Sequence, residues 1–233
     1  MKKNVIGIFV LLVVIFAITA MINPKFLNAY NMQNLIKWSS LYAVMSIGVA
    51  LVIITGGIDL SIGSVVGLVA VVLAFCLKVQ GMDPWVAIGL TLCMSLVIGL
   101  IHGLLITKAH IQPFVVTLCG LLIYRSLSRW LTDNQSLGPV PLDGDKGYAN
   151  LDQILGLDFI FSGKFPLGGF NLPTPALFLV VLAIASAIFL RKTIWGRYLY
   201  ALGNNEDGAR YSGIDTDRMK IIAYVLCSFF AGI

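Results

Sequence analysis

Charge is scarce in this sequence. Only 12% of its 233 residues are Asp, Glu, Lys or Arg, where an ordinary globular domain carries about 25%. Hydrophobic residues make up 58% and mean hydropathy is +0.92. A chain this poor in charge cannot clothe itself in a solvated surface, which excludes a soluble domain and points to a polytopic membrane protein. Catalytic patterns are missing too. There is no His-Glu-x-x-His, no nucleophile elbow and no pair of carboxylates, so no catalytic residue is assigned. His102 and His110 have no partners at metal-ligand spacing. Cys76, Cys93, Cys119 and Cys227 each sit inside an apolar run, unlike zinc ligands or a redox pair, and read as small apolar fillers. No metal and no cofactor is expected. The net charge of +5 comes without a basic face interleaved with aromatics, so no nucleic-acid partner is expected either.

What the sequence does have is a series of long apolar runs. Residues 5–22 are uncharged and follow Lys2 and Lys3. A signal peptide has a shorter apolar core and an A-x-A-like exit, and Ala17-Ile18-Thr19-Ala20 fits that poorly. The run is read as a retained first helix with its N-terminus in the cytoplasm. Runs 38–55, 62–77 and 84–106 follow, each set against a hydrocarbon core about 30 Å thick. Residues 113–124 are uncharged up to Arg125 and Arg129, which share one helix face and either snorkel to headgroups or face the bundle interior. Residues 131–174 are polar, with acids Asp133, Asp143, Asp145, Asp152 and Asp158 against Lys146 and Lys164. Run 175–190 leads into Arg191, Lys192, Arg197, Arg210, Arg218 and Lys220. With an inside start, alternation puts the acidic 131–174 segment outside and the basic 191–220 segment inside, as the positive-inside rule requires. The final run, 221–233, is too short to span. The expected fold is therefore all-α, a single transmembrane domain over 1–233, with about six complete transmembrane helices and a truncated seventh, lacking its natural C-terminal part.

The runs 38–55 and 62–77 are divided by Thr55-Gly56-Gly57-Ile58-Asp59-Leu60-Ser61. A bilayer tolerates broken backbone and a carboxylate at depth only where protein or a watery path surrounds them. Asp59 is the one acid within the apolar core of the sequence. Either it caps the helix that follows, or its carboxylate and the freed backbone at Gly56 and Gly57 line a substrate path. Both readings put a broken helix beside a permeation route, a recurrent transporter device. Gly63/Gly67 and Gly99/Gly103 each form G-x-x-x-G, which lets helices approach closely and predicts a tight bundle. His102, inside the second pair, reads as hydrogen-bonded or interfacial.

In the basic segment, 203–214 predicts a short helix. Asn205 suits its cap, Glu206 and Asp207 its first turn, Arg210 its last turn and Gly213 its stop. The same stretch has the glycine spacing of a phosphate loop at Gly203 and Gly208, but Ala209-Arg210 replaces the needed Lys-Ser/Thr. No means of binding ATP is visible. Asn134-Gln135-Ser136 matches a glycosylation sequon, a short pattern common by chance.

The strings Thr55–Ser64 and Gly203–Ile214, with Gln112-Pro113-Phe114-Val115-Val116-Thr117-Leu118 and Arg125 between them, resemble the permease subunit of ribose-type sugar ABC importers. The likeness runs from about residue 35 to the end. It implies a protein of the bacterial inner membrane that pairs with a second permease subunit. It further implies two cytoplasmic ATPase subunits and a periplasmic binding protein that delivers a neutral sugar. The substrate path is placed at Gly56, Gly57, Asp59 and Ser61, and coupling to the ATPase at Asn205, Glu206, Ala209, Arg210 and Gly213. The family tends to have Ala-Ala-Arg where Gly208-Ala209-Arg210 stands, which predicts a weaker coupling helix here, since glycine costs about 1 kcal/mol against alanine. The rival readings are a stand-alone facilitator or ion-coupled carrier, for which Asp59 is the only support, and a remnant without transport activity.

Overall fold

The computed structural model describes residues 2–135, 140–141, 148–149, 163–167 and 170–233. Most of the polar 131–174 segment, with Asp143, Asp145, Lys146, Asp152 and Asp158, lies outside the described residues, as does Ser136 of the sequon. The elements are α1 (Lys2–Ile22), a 3-10 turn (Pro24–Leu27), α2 (Ala29–Ile54), α3 (Ile62–Lys78), α4 (Pro84–Thr107) and α5 (Pro113–Leu131). After these come two short antiparallel strand pairs, β1 (Val140–Pro141) with β2 (Tyr148–Ala149) and β3 (Lys164–Leu167) with β4 (Phe170–Pro173). The chain ends in α6 (Thr174–Lys192), α7 (Ile194–Asn204), α8 (Glu206–Tyr211) and α9 (Thr216–Gly232).

Helices α2, α4, α5 and α6 are long and apolar enough to cross a membrane. The apolar helical stretches Ile6–Ile22 and Ile62–Leu77 are shorter. Side-chain caps mark where α4 and α2 begin. Asp83 accepts from the N–H groups of Trp85 and Val86, and Pro84 opens α4 without wasting a donor. Asn28 accepts from Tyr30 N–H, so α2 starts at Ala29, ahead of the apolar run at 38. Helix α1 exposes apolar side chains along its length, from Ile6 to Ile22, as a helix bathed in lipid does.

The bundle is organised around α9, which packs on α4, α2 and α3. It runs antiparallel to α4. A Cβ at Gly103 would lie 2.8 Å from the Ile221 Cα, and one at Gly99 2.6 Å from the Tyr224 carbonyl oxygen. Gly48 of α2 meets the other side of α9, with its Cβ position 2.9 Å from Phe230 Cβ. Close approach thus holds for the Gly99/Gly103 pair. It does not extend to Gly63/Gly67, where nothing lies within 4 Å of either Cβ position. A core of Leu51, Val52, Ile106, Val116, Leu199, Leu202, Met219, Ala223, Tyr224 and Cys227 joins α2, α4, α5, α7 and α9 at one end of the bundle. A second core, Val65, Leu68, Val69, Ile98 and Ala231, fills the space between α3, α4 and α9.

Candidate functional site

The break between α2 and α3 is built by its two glycines and the residues after them. Helix α2 closes with Thr55 Oγ1 and Gly57 N–H both donating to the Val52 carbonyl, at 2.7 and 3.1 Å. Gly56 takes φ +79, a left-handed value that side chains resist and glycine adopts freely. Gly57 is demanded by a neighbour, since a Cβ there would sit 2.8 Å from the Tyr224 hydroxyl. The chain then turns back into protein. The Ile58 carbonyl, which no helix can satisfy, accepts from the Tyr224 hydroxyl at 3.1 Å, and Thr117 Oγ1 lies 3.5 Å from it.

Asp59 follows, only 7% exposed. Its Oδ1 accepts from Ser61 N–H at 2.8 Å and Ser61 Oγ–H at 2.7 Å. Its Oδ2 accepts from the Cys227 thiol at 3.4 Å. Cys227 is therefore more than an apolar filler, because a sulfhydryl beside a buried carboxylate acts as a weak donor. Ser61 is fully buried at the start of α3. The carboxylate thus stands at the positive end of the α3 dipole, met by neutral donors, which suits a negative group. Gly56, Gly57, Asp59 and Ser61 lie in this one stretch, Asp59 and Ser61 buried and Gly56 exposed.

One further polar pair lies close by. His102 is 1% exposed and its Nε2 is 2.9 Å from the Tyr124 hydroxyl. Among the described residues its Nδ1 has no hydrogen-bond partner. His102 faces α5 one turn from Thr117, since a Cβ at Gly120 would touch its Nε2 at 2.7 Å.

The segment formed by α7 and α8 rests directly on this region. Helix α7 was not anticipated from the sequence. Thr193 Oγ1 accepts from Gly196 N–H and starts it. Gly196, Leu199 and Leu202 turn inward at helical spacing, while Trp195, Tyr198 and Tyr200 stay exposed. That is the pattern of a helix lying at a membrane–water boundary. At its end a Cβ on Gly203 would collide with the Ile54 carbonyl oxygen, so the backbones of α7 and α2 touch at the threshold of the break.

Helix α8 forms as its sequence predicts. Asn205 Oδ1 accepts from Gly208 N–H at 2.9 Å, and Gly213 takes φ +82 after the last turn. Its side chains, however, are spent on α9. Lys220 Nζ donates to both Glu206 oxygens at 2.6 and 2.8 Å. Arg210 donates to Thr216 Oγ1 at 3.1 Å and lies 3.8 Å from Asp217. Ala209 is buried. Lys108 at the end of α4 donates to Asp217 at 2.8 Å, and that bond holds the Asp217 carboxyl below the usual carboxylate range. Asn205, Asp207 and Arg210 are exposed, and above all Tyr211, at 91%. Glu206 and the exposed Arg210 thus tie the segment to α9, and Ala209 packs beneath it.

Among the described residues no group of His, Cys, Asp and Glu is arranged to hold a metal ion. An apolar cavity of about 440 Å³ opens elsewhere, between α2, α3, α6 and the end of α9, lined by Trp38, Tyr42, Phe178 and Phe230 among others. Its walls carry little that would orient a polar cargo.

Comparison with known proteins fixes the lineage. Residues 31–233 match the family described as Branched-chain amino acid transport system / permease component. The Ribose import permease protein RbsC of Escherichia coli (strain K12) is 33% identical over 232 residues, covering 100% of this chain and 67% of that protein. RbsC of Bacillus subtilis (strain 168) is 34% identical over 229 residues, covering 98% of this chain and 65% of that protein. The Galactose/methyl galactoside import permease protein MglC of Escherichia coli (strain K12) is 32% identical over 238 residues, covering 96% and 67%. The chain thus spans about two thirds of the length of these relatives. No solved structure matches it. Its helices, its break at Thr55–Ser61 and its match across 31–233 make this chain a multi-pass membrane protein that belongs to the family of branched-chain amino acid transport system permease components.

Proposed function

We propose that this chain is the membrane-spanning subunit of a bacterial ABC importer that brings a neutral monosaccharide of the ribose type into the cytoplasm. The observation that carries the reading is the match to ribose and galactose import permeases over nearly the whole chain. The family description mentions amino acids, so cargo charge decides between the two. A zwitterion needs a buried cation for its carboxylate as well as a partner for its ammonium group. Among the described residues the buried polar groups are hydroxyls, His102 and Asp59, with no buried Lys or Arg. That set suits a polyhydroxyl cargo.

In this reading the chain sits in the inner membrane with its N-terminus in the cytoplasm. Helices α1 to α6 are the six complete crossings and α9 begins a seventh. Segment 131–174 faces the periplasm and 191–220 the cytoplasm, where the six basic residues from Arg191 to Lys220 lie. ATP hydrolysis belongs to two cytoplasmic partner subunits. A second permease subunit completes the pathway, and a periplasmic binding protein hands over the sugar. Asp207 and Tyr211 present α8 to the ATPase, while Asn205, Glu206, Arg210 and Gly213 hold its shape. Gly56, Gly57, Asp59 and Ser61 border the sugar route.

The test is uptake of radiolabelled ribose and galactose into vesicles holding the permease, its ATPase and its binding protein. Uptake is expected to need ATP inside and to survive an uncoupler, and a cysteine at Tyr211 is expected to cross-link to the ATPase. Uptake that persists without ATP and collapses with the uncoupler would overturn the reading in favour of an ion-coupled carrier.

A further inference from the structure

Helix α9 carries Lys220, Tyr224 and Cys227 at positions i, i+4 and i+7, which places them on one face. Each of these side chains reaches a different part of the site. Lys220 holds Glu206 of α8 through two bonds, at 2.6 and 2.8 Å. Tyr224 holds the Ile58 carbonyl at 3.1 Å, and Gly57 leaves room for its hydroxyl. Cys227 holds Asp59 at 3.4 Å. One rigid face, spanning roughly 10 Å at the rise of an α-helix, thus joins the cytoplasmic segment to the break.

We infer that Tyr224 and Cys227 are positioning residues that pass movement of α8 along α9 to the break. This rests on the function proposed above. The chemistry favours Tyr224 as the principal link. The Ile58 carbonyl lies outside any helix, with Tyr224 its nearer donor at 3.1 Å and Thr117 at 3.5 Å, and losing the nearer bond is costly. A displacement of α9 therefore takes Ile58 with it instead of stretching the bond. On the α4 side Gly99 and Gly103 present backbone to α9, and the Lys108–Asp217 pair ties the start of α9 to the end of α4. The Lys220–Glu206 pair supplies the input, because it ties α9 to the helix that faces the ATPase. Arg210, bonded to Thr216 and close to Asp217, reinforces the same tie.

The discriminating experiment uses the complete importer in vesicles, with radiolabelled ribose as cargo and ATP hydrolysis measured in parallel. Tyr224→Phe keeps the ring and removes only the hydroxyl. The expected result is a fall of about tenfold in sugars moved per ATP, an ordinary coupling magnitude, with stimulated hydrolysis held within about twofold of the parent. Glu206→Gln is expected to lower the same ratio. The double variant is expected to be no worse than the poorer single one, because the two bonds lie in series. An unchanged ratio in Tyr224→Phe, defects that multiply in the double variant, or uptake and hydrolysis falling together would each overturn the inference. A parent complex that does not hydrolyse ATP in response to loaded binding protein would instead remove the proposed function, and the inference with it.

Discussion

Gly203→Ala is expected to melt well below the parent protein, whereas Gly67→Ala melts at or above it. Both substitutions add one methyl group to a glycine, yet the two sites differ completely. At Gly203 the new Cβ meets the Ile54 carbonyl oxygen, so two backbones oppose each other and no side chain can step aside. Overpacking of this kind costs about 1–3 kcal/mol, which for a chain of this size lowers the melting temperature by roughly 3–10 °C. The strain falls on the joint between α7 and α2, the threshold of the break, so sugar uptake is expected to fall with it. At Gly67 nothing lies within 4 Å, and alanine recovers up to about 1 kcal/mol of helix propensity. Thermal unfolding of the two variants in one detergent checks this. Equal melting temperatures would mean that α7 is not seated on α2.

Asp59→Ala is expected to be the most damaging single change in the break, and Asp59→Asn a mild one. Alanine strands the Ser61 N–H and hydroxyl, and Ser61 is fully buried. Each stranded donor costs about 1–3 kcal/mol. Asparagine keeps an acceptor oxygen at the same place, so both Ser61 bonds survive and only the contact with Cys227 is altered. Yield of folded protein and melting temperature are expected to drop sharply for alanine and little for asparagine. Uptake then separates the two roles of the acid. If its task is to cap α3, Asp59→Asn transports sugar. If the carboxylate itself touches cargo, Asp59→Asn folds but does not transport. The donors on Asp59 are the N–H and hydroxyl of Ser61, the residue just ahead of α3, and the Cys227 thiol.

These contrasts mark where sequence reasoning reaches and where it stops. Apolar runs placed α3 and α4 to within a residue or two of their ends, because burial in lipid depends on composition alone. The cap at Asn205 and the stop at Gly213 were legible for the same local reason, since each acts on backbone a few residues away. The early start of α2 was not, because Asn31, Gln33 and Asn34 interrupt the hydropathy signal although Asn28 caps the helix. Helix α7 escaped notice among the basic residues, although Thr193 and the spacing of Gly196, Leu199 and Leu202 carry its signature. The partners of the break were out of reach. Tyr224 and Ile58 are 166 residues apart, and nothing local in either distinguishes them from their neighbours. The two G-x-x-x-G pairs look alike in sequence, yet among the described residues Gly99 and Gly103 touch another helix and Gly63 and Gly67 do not. The lone cysteine that bonds to Asp59 looks no different from Cys93 and Cys119, which are exposed.

The central claim is that the break at Thr55–Ser61 moves when the α7–α8 segment, proposed to face the cytoplasm, is driven by ATP. A cysteine at Ile58, whose side chain is half exposed, reports on it in the complete importer once Cys76, Cys93 and Cys119 are replaced by alanine and Cys227 by serine. The rate at which a water-soluble thiol reagent labels this position is expected to differ by about tenfold or more between the nucleotide-free and ATP-bound states, as an ordinary allosteric coupling would give. The same labelling rate in both states would contradict the account.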